Sequence, residues 1–263
     1  MRFGLFLPPF ADFAEPERVV ALARDAESAG WDGLFLWDHM LAFQGMAVAD
    51  SWITLAAVAQ ATERIRIGAM VTPLARRRPW VLARQAATLD RLSRGRLVVG
   101  AGLGDDGWKE FGSFSGEATD PRARAELLDE SLELMRAFWF GEPVEWVGNR
   151  FEVETGPFLP RPVQQPLPIW VACRWPHKRP LDRAAKHQGV FPLFDQGGSD
   201  IPPLPAPNDV TALRGDLLRR GAPETIDIVC RGVSGLVEEA ERQEALAELE
   251  AAGMTWWLES FGP

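Results

Sequence analysis

The chain has 263 residues, of which 46% are hydrophobic and 25% charged, with a formal net charge of −9. Ordinary globular usage excludes a disordered or collagen-like chain, and the acidic balance argues against nucleic-acid binding, so a small-molecule partner is expected. Two cysteines, Cys173 and Cys230, cannot build a disulfide framework; each sits in an apolar run and reads as a reduced core residue of a cytoplasmic protein. The opening stretch is apolar only briefly before Asp12, so it does not read as a signal peptide, and the uncharged run Ser51–Thr62 is too short to span a bilayer.

Short apolar runs alternate with helical patterns along the whole chain. Arg2–Leu7 predicts a strand, and Glu17–Ala29 a helix with apolar residues at Val19, Leu22, Ala23 and Ala26, closed by Gly30. Trp31–Trp37 predicts the second strand, Val48–Thr62 a helix, Ile65–Val71 the third strand and Pro79–Leu92 a helix with proline at its start. Arg96–Gly100 follows as the fourth strand, then Arg122–Phe140, a helix with an apolar face of Leu127, Leu128, Leu132, Met135 and Trp139. The proline-rich segment 141–167 reads as an insertion between strands four and five, with a hairpin of Val144–Val147 and Arg150–Val153 around Gly148-Asn149. Pro168–Cys173, Gly189–Phe194, Thr225–Cys230 and Met254–Leu258 predict strands five to eight. Helices at Leu181–His187, Asp209–Arg219 and Leu236–Ala252 separate them, with a Pro/Gly loop at Asp195–Pro207. Eight strands alternating with helices in one domain over residues 1–263 predict an α/β fold, a (β/α)8 TIM barrel; an open doubly wound sheet is the alternative. The chain ends five residues after Leu258, so the barrel is expected to lack its last helix, a face that a second subunit of a homodimer would cover.

In a barrel the site lies at the C-terminal strand ends. Those ends hold Phe10; Trp37, Asp38 and His39; Ala69, Met70 and Val71; Gly102, Leu103 and Gly104; Arg174, Trp175, His177, Lys178 and Arg179; and Glu259. Asp38-His39 suits proton transfer, because histidine titrates near neutrality, although adjacent strand residues point to opposite faces and need not touch; a helix-capping Asp beside a bystander His is the other reading. Gly102-x-Gly104-x-x-Gly107 is a weak dinucleotide fingerprint with no helix after it, but its backbone could approach a flat ligand closely. The basic segment Arg174–Arg179 around a helix start suits a phosphate group, or is a solvated loop. Arg76-Arg77-Arg78 reads as a solvated helix entry, or as the lining of a groove for an acidic cofactor tail. Phe10, Trp37, Trp52, Trp108 and Glu259 are the candidate substrate pocket, with aromatic walls that core packing could also explain. There is no P-loop, no Gly-x-Ser-x-Gly elbow, and no zinc spacing at His39, His177 or His187, so no metal is expected. A phosphosugar isomerase or aldolase barrel would instead place phosphate near Arg231-Gly232, but no lysine lies at a strand end for a Schiff base. The residues ask for a flat, phosphorylated organic cofactor in a metal-free pocket.

Ala61–Pro73 (ATERIRIGAMVTP), Arg78-Pro79-Trp80, Leu89–Gly102 (LDRLSRGRLVVGAG) and Glu110-Phe111-Gly112 resemble the bacterial luciferase-like flavin-dependent oxidoreductases, the luciferase-like monooxygenase family. Pro168–Ala172, Gly189–Pro192 and Trp256–Ser260 carry the resemblance on. It implies a (β/α)8 barrel holding FMN or the deazaflavin coenzyme F420 at the C-terminal strand ends. It implies a non-prolyl cis peptide near Met70-Val71 under the ring and a phosphate site in the loop after strand five. In deazaflavin-dependent members an Asp-His pair faces the ring; Asp38-His39 matches it, with His39 as acid/base. The implied activity is a monooxygenase that uses reduced FMN on a small apolar substrate, supplied by a separate flavin reductase. The alternatives are F420-dependent hydride transfer and a barrel that binds flavin without turnover. Family relatives are often dimers.

Overall fold

The computed structural model describes residues 1–42, 45–194 and 204–261. Its elements in chain order are β1 (Arg2–Leu7), α1 (Pro16–Ser28), β2 (Gly33–Leu36), α2 (Ser51–Ala61), β3 (Arg66–Ala69), β4 (Thr72–Pro73), α3 (Pro79–Leu92) and β5 (Val99–Gly102). There follow α4 (Pro121–Phe140), β6 (Val144–Val147), β7 (Glu152–Thr155), β8 (Ile169–Arg174), α5 (Lys178–Ala184), β9 (Gly189–Leu193), α6 (Pro207–Arg219), β10 (Asp227–Gly232), α7 (Glu239–Ala251) and β11 (Trp256–Ser260).

Nine strands form one parallel sheet in the order β3-β2-β1-β11-β10-β9-β8-β5-β4. The third predicted strand, Ile65–Val71, is in two pieces, β3 and β4, with the cis Met70–Val71 peptide between them. β3 pairs with β2, β4 pairs with β5, and a parallel bridge from Ile67 to Leu97 draws β3 toward β5, so the sheet curls into a (β/α)8 barrel. The antiparallel hairpin β6–β7 stands apart between α4 and β8. Among the described residues no helix follows β11. The loop predicted at Asp195–Pro207 lies in large part outside the described residues.

Local chemistry sets the helix starts. Asp50 and Asp120 cap α2 and α4, accepting from the amides of Ile53 and Ala123 at 2.8 and 3.1 Å. Proline opens α3 and α4, and Gly141 ends α4 at φ +86°. The helix predicted at Leu181–His187 starts three residues earlier, at Lys178, and ends before His187, which is buried instead.

The barrel interior is filled at its lower level by Phe35, Trp170 and Trp256, whose ring centres lie 5.3 to 5.8 Å apart. Small residues beside them make the space: a Cβ on Gly189 would come within 2.2 Å of Trp170, and one on Gly33 within 2.7 Å of Phe35. This aromatic layer is a floor, and the volume above it holds the candidate site. Cys173 and Cys230 are free and buried, and burial pushes both thiols up to about 12. Among the described residues no helix is long and apolar enough to cross a membrane, and no three metal-ligating side chains converge.

Candidate active site

A cavity of about 630 Å³ opens at the C-terminal strand ends. Its inner wall is Phe6, Trp37, Met70, Val71, Ala172 and Phe191, and α4 and α5 contribute Arg124 and Arg183 at its side. A second cavity, of about 580 Å³, lies against α4 and reaches Ile169 and Gln188 at the opposite, N-terminal strand ends.

His39 lines the first cavity from the loop after β2. Its Nδ1 meets Glu110 Oε2 at 2.8 Å, while Glu110 Oε1 accepts from the Leu41 amide at 3.1 Å and from the Met40 amide. Arg76 approaches the same carboxylate at 2.9 Å. Glu110 is 2% exposed. Burial alone would raise its pKa, but the hydrogen bond and charge of His39, the Arg76 guanidinium and the Met40 amide together outweigh burial and hold it at about 2. An ionised Glu110 can only accept, so Nδ1 carries the proton and Nε2 is the nitrogen left to exchange one with a ligand. The imidazole is held between Trp108 and Trp37, with centroids 4.5 and 5.9 Å away.

Asp38 and His39 do not act on each other. Asp38 accepts from Arg77 at 2.9 and 3.0 Å and from Trp52 Nε1 at 3.3 Å, and it is 5% exposed. The carboxylate that orients His39 is Glu110, which the chain supplies 71 residues later. Its only sequence signal is its place in Glu110-Phe111-Gly112, one of the stretches that carry the family resemblance. The solvated reading of Arg76–Arg78 is corrected for the first two: the Arg76 side chain is 3% exposed and also donates to the Asp38 carbonyl at 2.9 Å, and Arg77 holds the Asp38 carboxylate, while Arg78 is exposed. Two buried carboxylates demanded two cations, and adjacent arginines reach both.

The other predicted residues fall into three groups. Met70, Val71, Leu103, Gly104 and Arg174 line the cavity. Ala69 and Gly102 are buried just behind it; a Cβ on Gly102 would meet Val71 at 2.2 Å, so this glycine accommodates the chain at the cis bond. Phe10 is fully buried, edge-on to Trp37 and Trp108, and supports the wall from behind. Trp52 is likewise behind the wall, donating to Asp38 and to Thr72 Oγ1. Trp175 turns away toward Phe194 and Asp216, and His177, Lys178 and Arg179 are exposed at the start of α5. Glu259 points out of the barrel: it accepts from Ser234 and from Trp257 Nε1 at 2.8 Å, because Leu258 takes the inward position of the alternation.

Sequence reading missed the cations on the wall. Arg124 is 6% exposed, packs over the Phe111 ring at 4.5 Å and leaves its Nε without a partner among the described residues. Arg183 reaches the cavity while bonded to Asp129 at 2.6 Å. Both sit on helices in patterns that read as amphipathic surface, so nothing local marked them.

A family model described as luciferase-like monooxygenase matches residues 1–195. The F420-dependent glucose-6-phosphate dehydrogenase of Amycolatopsis mediterranei is 32% identical over 164 residues, 61% of this chain and 49% of the relative. The chain spans about half the length of the curated relatives it matches. The coenzyme F420-dependent tetrahydromethanopterin reductase of Methanopyrus kandleri superposes with TM-score 0.76 at 19% identity, covering 98% of this chain and 92% of that one. The monooxygenase RslO1 of Streptomyces bottropensis superposes with TM-score 0.75 at 25% identity, covering 100% and 94%.

Proposed function

The chain belongs to the luciferase-like monooxygenase family, and from that premise we propose that it is a coenzyme F420-dependent oxidoreductase in which His39 moves the proton that accompanies hydride transfer. The observation that carries this is the His39–Glu110 pair on the cavity wall, with Nδ1 committed to an ionised carboxylate and Nε2 left for a ligand. The 32% identity to an F420-dependent dehydrogenase supports the same branch.

The cavity suits such a group. Its volume is that of a small-molecule site. Met70, Val71, Leu103 and Gly104 form the side against which a flat ring would lie, backed by Ala69 and Gly102, and Arg124 Nε, without a partner among the described residues, suits an anionic group. Arg174, on the cavity wall, would hold a phosphate, with the basic residues His177, Lys178 and Arg179 exposed beyond it at the start of α5. When bound, the deazaflavin supplies or accepts a hydride. Oxidation of an alcohol carbon also releases a proton, and His39 Nε2 takes it from the substrate oxygen; in the reverse direction Nε2 returns it to the carbonyl oxygen. Glu110 fixes the tautomer and stabilises the imidazolium. Trp37, Trp108 and Phe10 keep water from the exchange. The proposed setting is the cytoplasm, and the proposed assembly a homodimer.

A second reading, oxygenation of an apolar substrate with reduced FMN from a separate reductase, draws on the 25% identity to a monooxygenase over the whole chain. Titration of the protein with F420 and, separately, FMN, read by tryptophan quenching, tests the choice. F420 is expected to bind at micromolar concentration or below, and His39→Ala to keep that affinity while losing about 100-fold or more in hydride-transfer rate. Binding of FMN alone, with oxygen uptake in the presence of a reductant, would overturn the F420 reading.

A further inference from the structure

Strands β10 and β11 complete the barrel wall, and their alternation turns Val229 and Arg231, then Trp256, Leu258 and Ser260, to the inner face. Arg231 lines the cavity with its guanidinium 5.9 Å from the centre of the Phe6 ring. It makes no hydrogen bond or ion pair with any described residue. Its inner-face surroundings, Phe6, Phe191, Val229 and Leu258, are apolar. Burial pulls its pKa down, so the charge is held at a cost.

Two further donors stand around the same phenyl ring. Ser260 pairs in register with Phe6 on the strand between Phe6 and Arg231. It is 8% exposed, and its Oγ has no partner among the described residues. Trp37 packs against Phe6 from the other side at 5.5 Å, and its Nε1 is buried without a described partner. On the β3–β4 side Arg76 and Arg77 each have a carboxylate, whereas Arg231 has none among the described residues. A half-buried cation and two buried polar atoms without a described partner carry a desolvation cost that a ligand bringing an acceptor would offset.

We propose that Arg231 anchors an oxyanion subsite on the cavity wall that binds a carboxylate or phosphate group of the substrate, with Ser260 and Trp37 as the neighbouring donors around Phe6. The substrate is then a small organic anion, not the uncharged apolar molecule that the aromatic walls alone suggest. This deepens the proposed function and rests on its reading of the cavity as the reaction chamber. Arg174, two strands away on β8, is left to the cofactor's own phosphate.

The test is a titration of the cofactor-free protein with inorganic phosphate, with acetate, and with acetamide as the uncharged control, by calorimetry and tryptophan fluorescence. Saturable binding of either anion, but not of acetamide, is expected, and the preferred anion identifies the group on the substrate. Arg231→Gln should weaken it about ten-fold or more, Ser260→Ala by a smaller factor, and Arg231→Lys should restore part of the loss, with F420 affinity in all three within about threefold of wild type. Circular dichroism confirms that each variant is folded, and Ser260→Ala carries the test if Arg231→Gln is not. The proposal fails if neither anion binds, if both bind equally to wild type and variants, or if F420 affinity falls in step with anion affinity, which would assign the group to the cofactor. No cofactor is needed for the anion titration, so its result stands apart from whether the F420 reading survives.

Discussion

At the scale of single residues, the proposed chemistry turns on a histidine and a glutamate that meet at 2.8 Å although 71 positions separate them. Glu110 also carries Arg76, so its charge is shared between an imidazole and a guanidinium in a nearly dry place. Glu110→Gln keeps an acceptor for the Met40 and Leu41 amides but removes the counter-charge of Arg76. It is expected to cost about 3 kcal/mol of stability, read as a shift in the denaturant midpoint, and to slow proton transfer at His39. Because the folded-state pKa of Glu110 is held at about 2, below the ordinary 4.5, its contribution to stability is fully present above pH 4.5 and is lost as pH falls toward 2. Melting temperature followed from pH 6 to pH 3 should therefore fall, and the fall should be shallower in Glu110→Gln. An equal pH slope in both proteins would show that other carboxylates govern acid unfolding.

Between elements, Arg96 joins α2 to the β3 edge. It is 8% exposed and donates five side-chain hydrogen bonds: to the carbonyls of Ala59, Thr62, Ile65 and Ser93 and to Thr62 Oγ1, at 2.7 to 3.0 Å. Four of these acceptors belong to the end of α2 and the loop beyond it, where a helix leaves its carbonyls unpaired. Arg96→Met would leave them buried without donors, and we expect a loss of about 3 kcal/mol or more in urea unfolding. A loss below about 1 kcal/mol would mean that water replaces the guanidinium at no cost. Asp90 does the corresponding work for the inserted segment: fully buried on α3, it accepts from the amides of Val163 and Gln164 and from the Gln164 side chain at 2.7 to 2.9 Å. One capped carboxylate thus fastens a proline-rich stretch to the barrel.

Taken whole, the molecule has a net charge of −9 but places Arg124, Arg174, Arg183 and Arg231 around one cavity. An anionic ligand is repelled by the bulk of the surface and attracted at the mouth, where low-dielectric walls weaken screening. Raising NaCl from about 0.05 to about 0.5 M should therefore change F420 affinity only modestly, within about fivefold, because the two fields oppose each other. A loss of several orders of magnitude would mean that the mouth dominates and the acidic surface contributes little.

The sequence by itself determined the barrel and its strand ends, because periods of 2 and 3.6 residues, caps and glycines act within a few positions of the chain. His39 was legible as the acid/base candidate for the same reason: it lies at the end of a strand pattern. Tertiary structure decided what surrounds it. Asp38 and His39 are neighbours in sequence but project differently, so each found its partner elsewhere, Arg77 for one and Glu110 for the other. Glu259 reads as a strand-end acid yet faces outward, since one step along a strand reverses the side of the sheet. Arg76 reads as solvent-facing yet is buried, since what fixes it is the charge it meets after folding. Which carboxylate meets which cation is a distance in space, and no spacing along the chain encodes it.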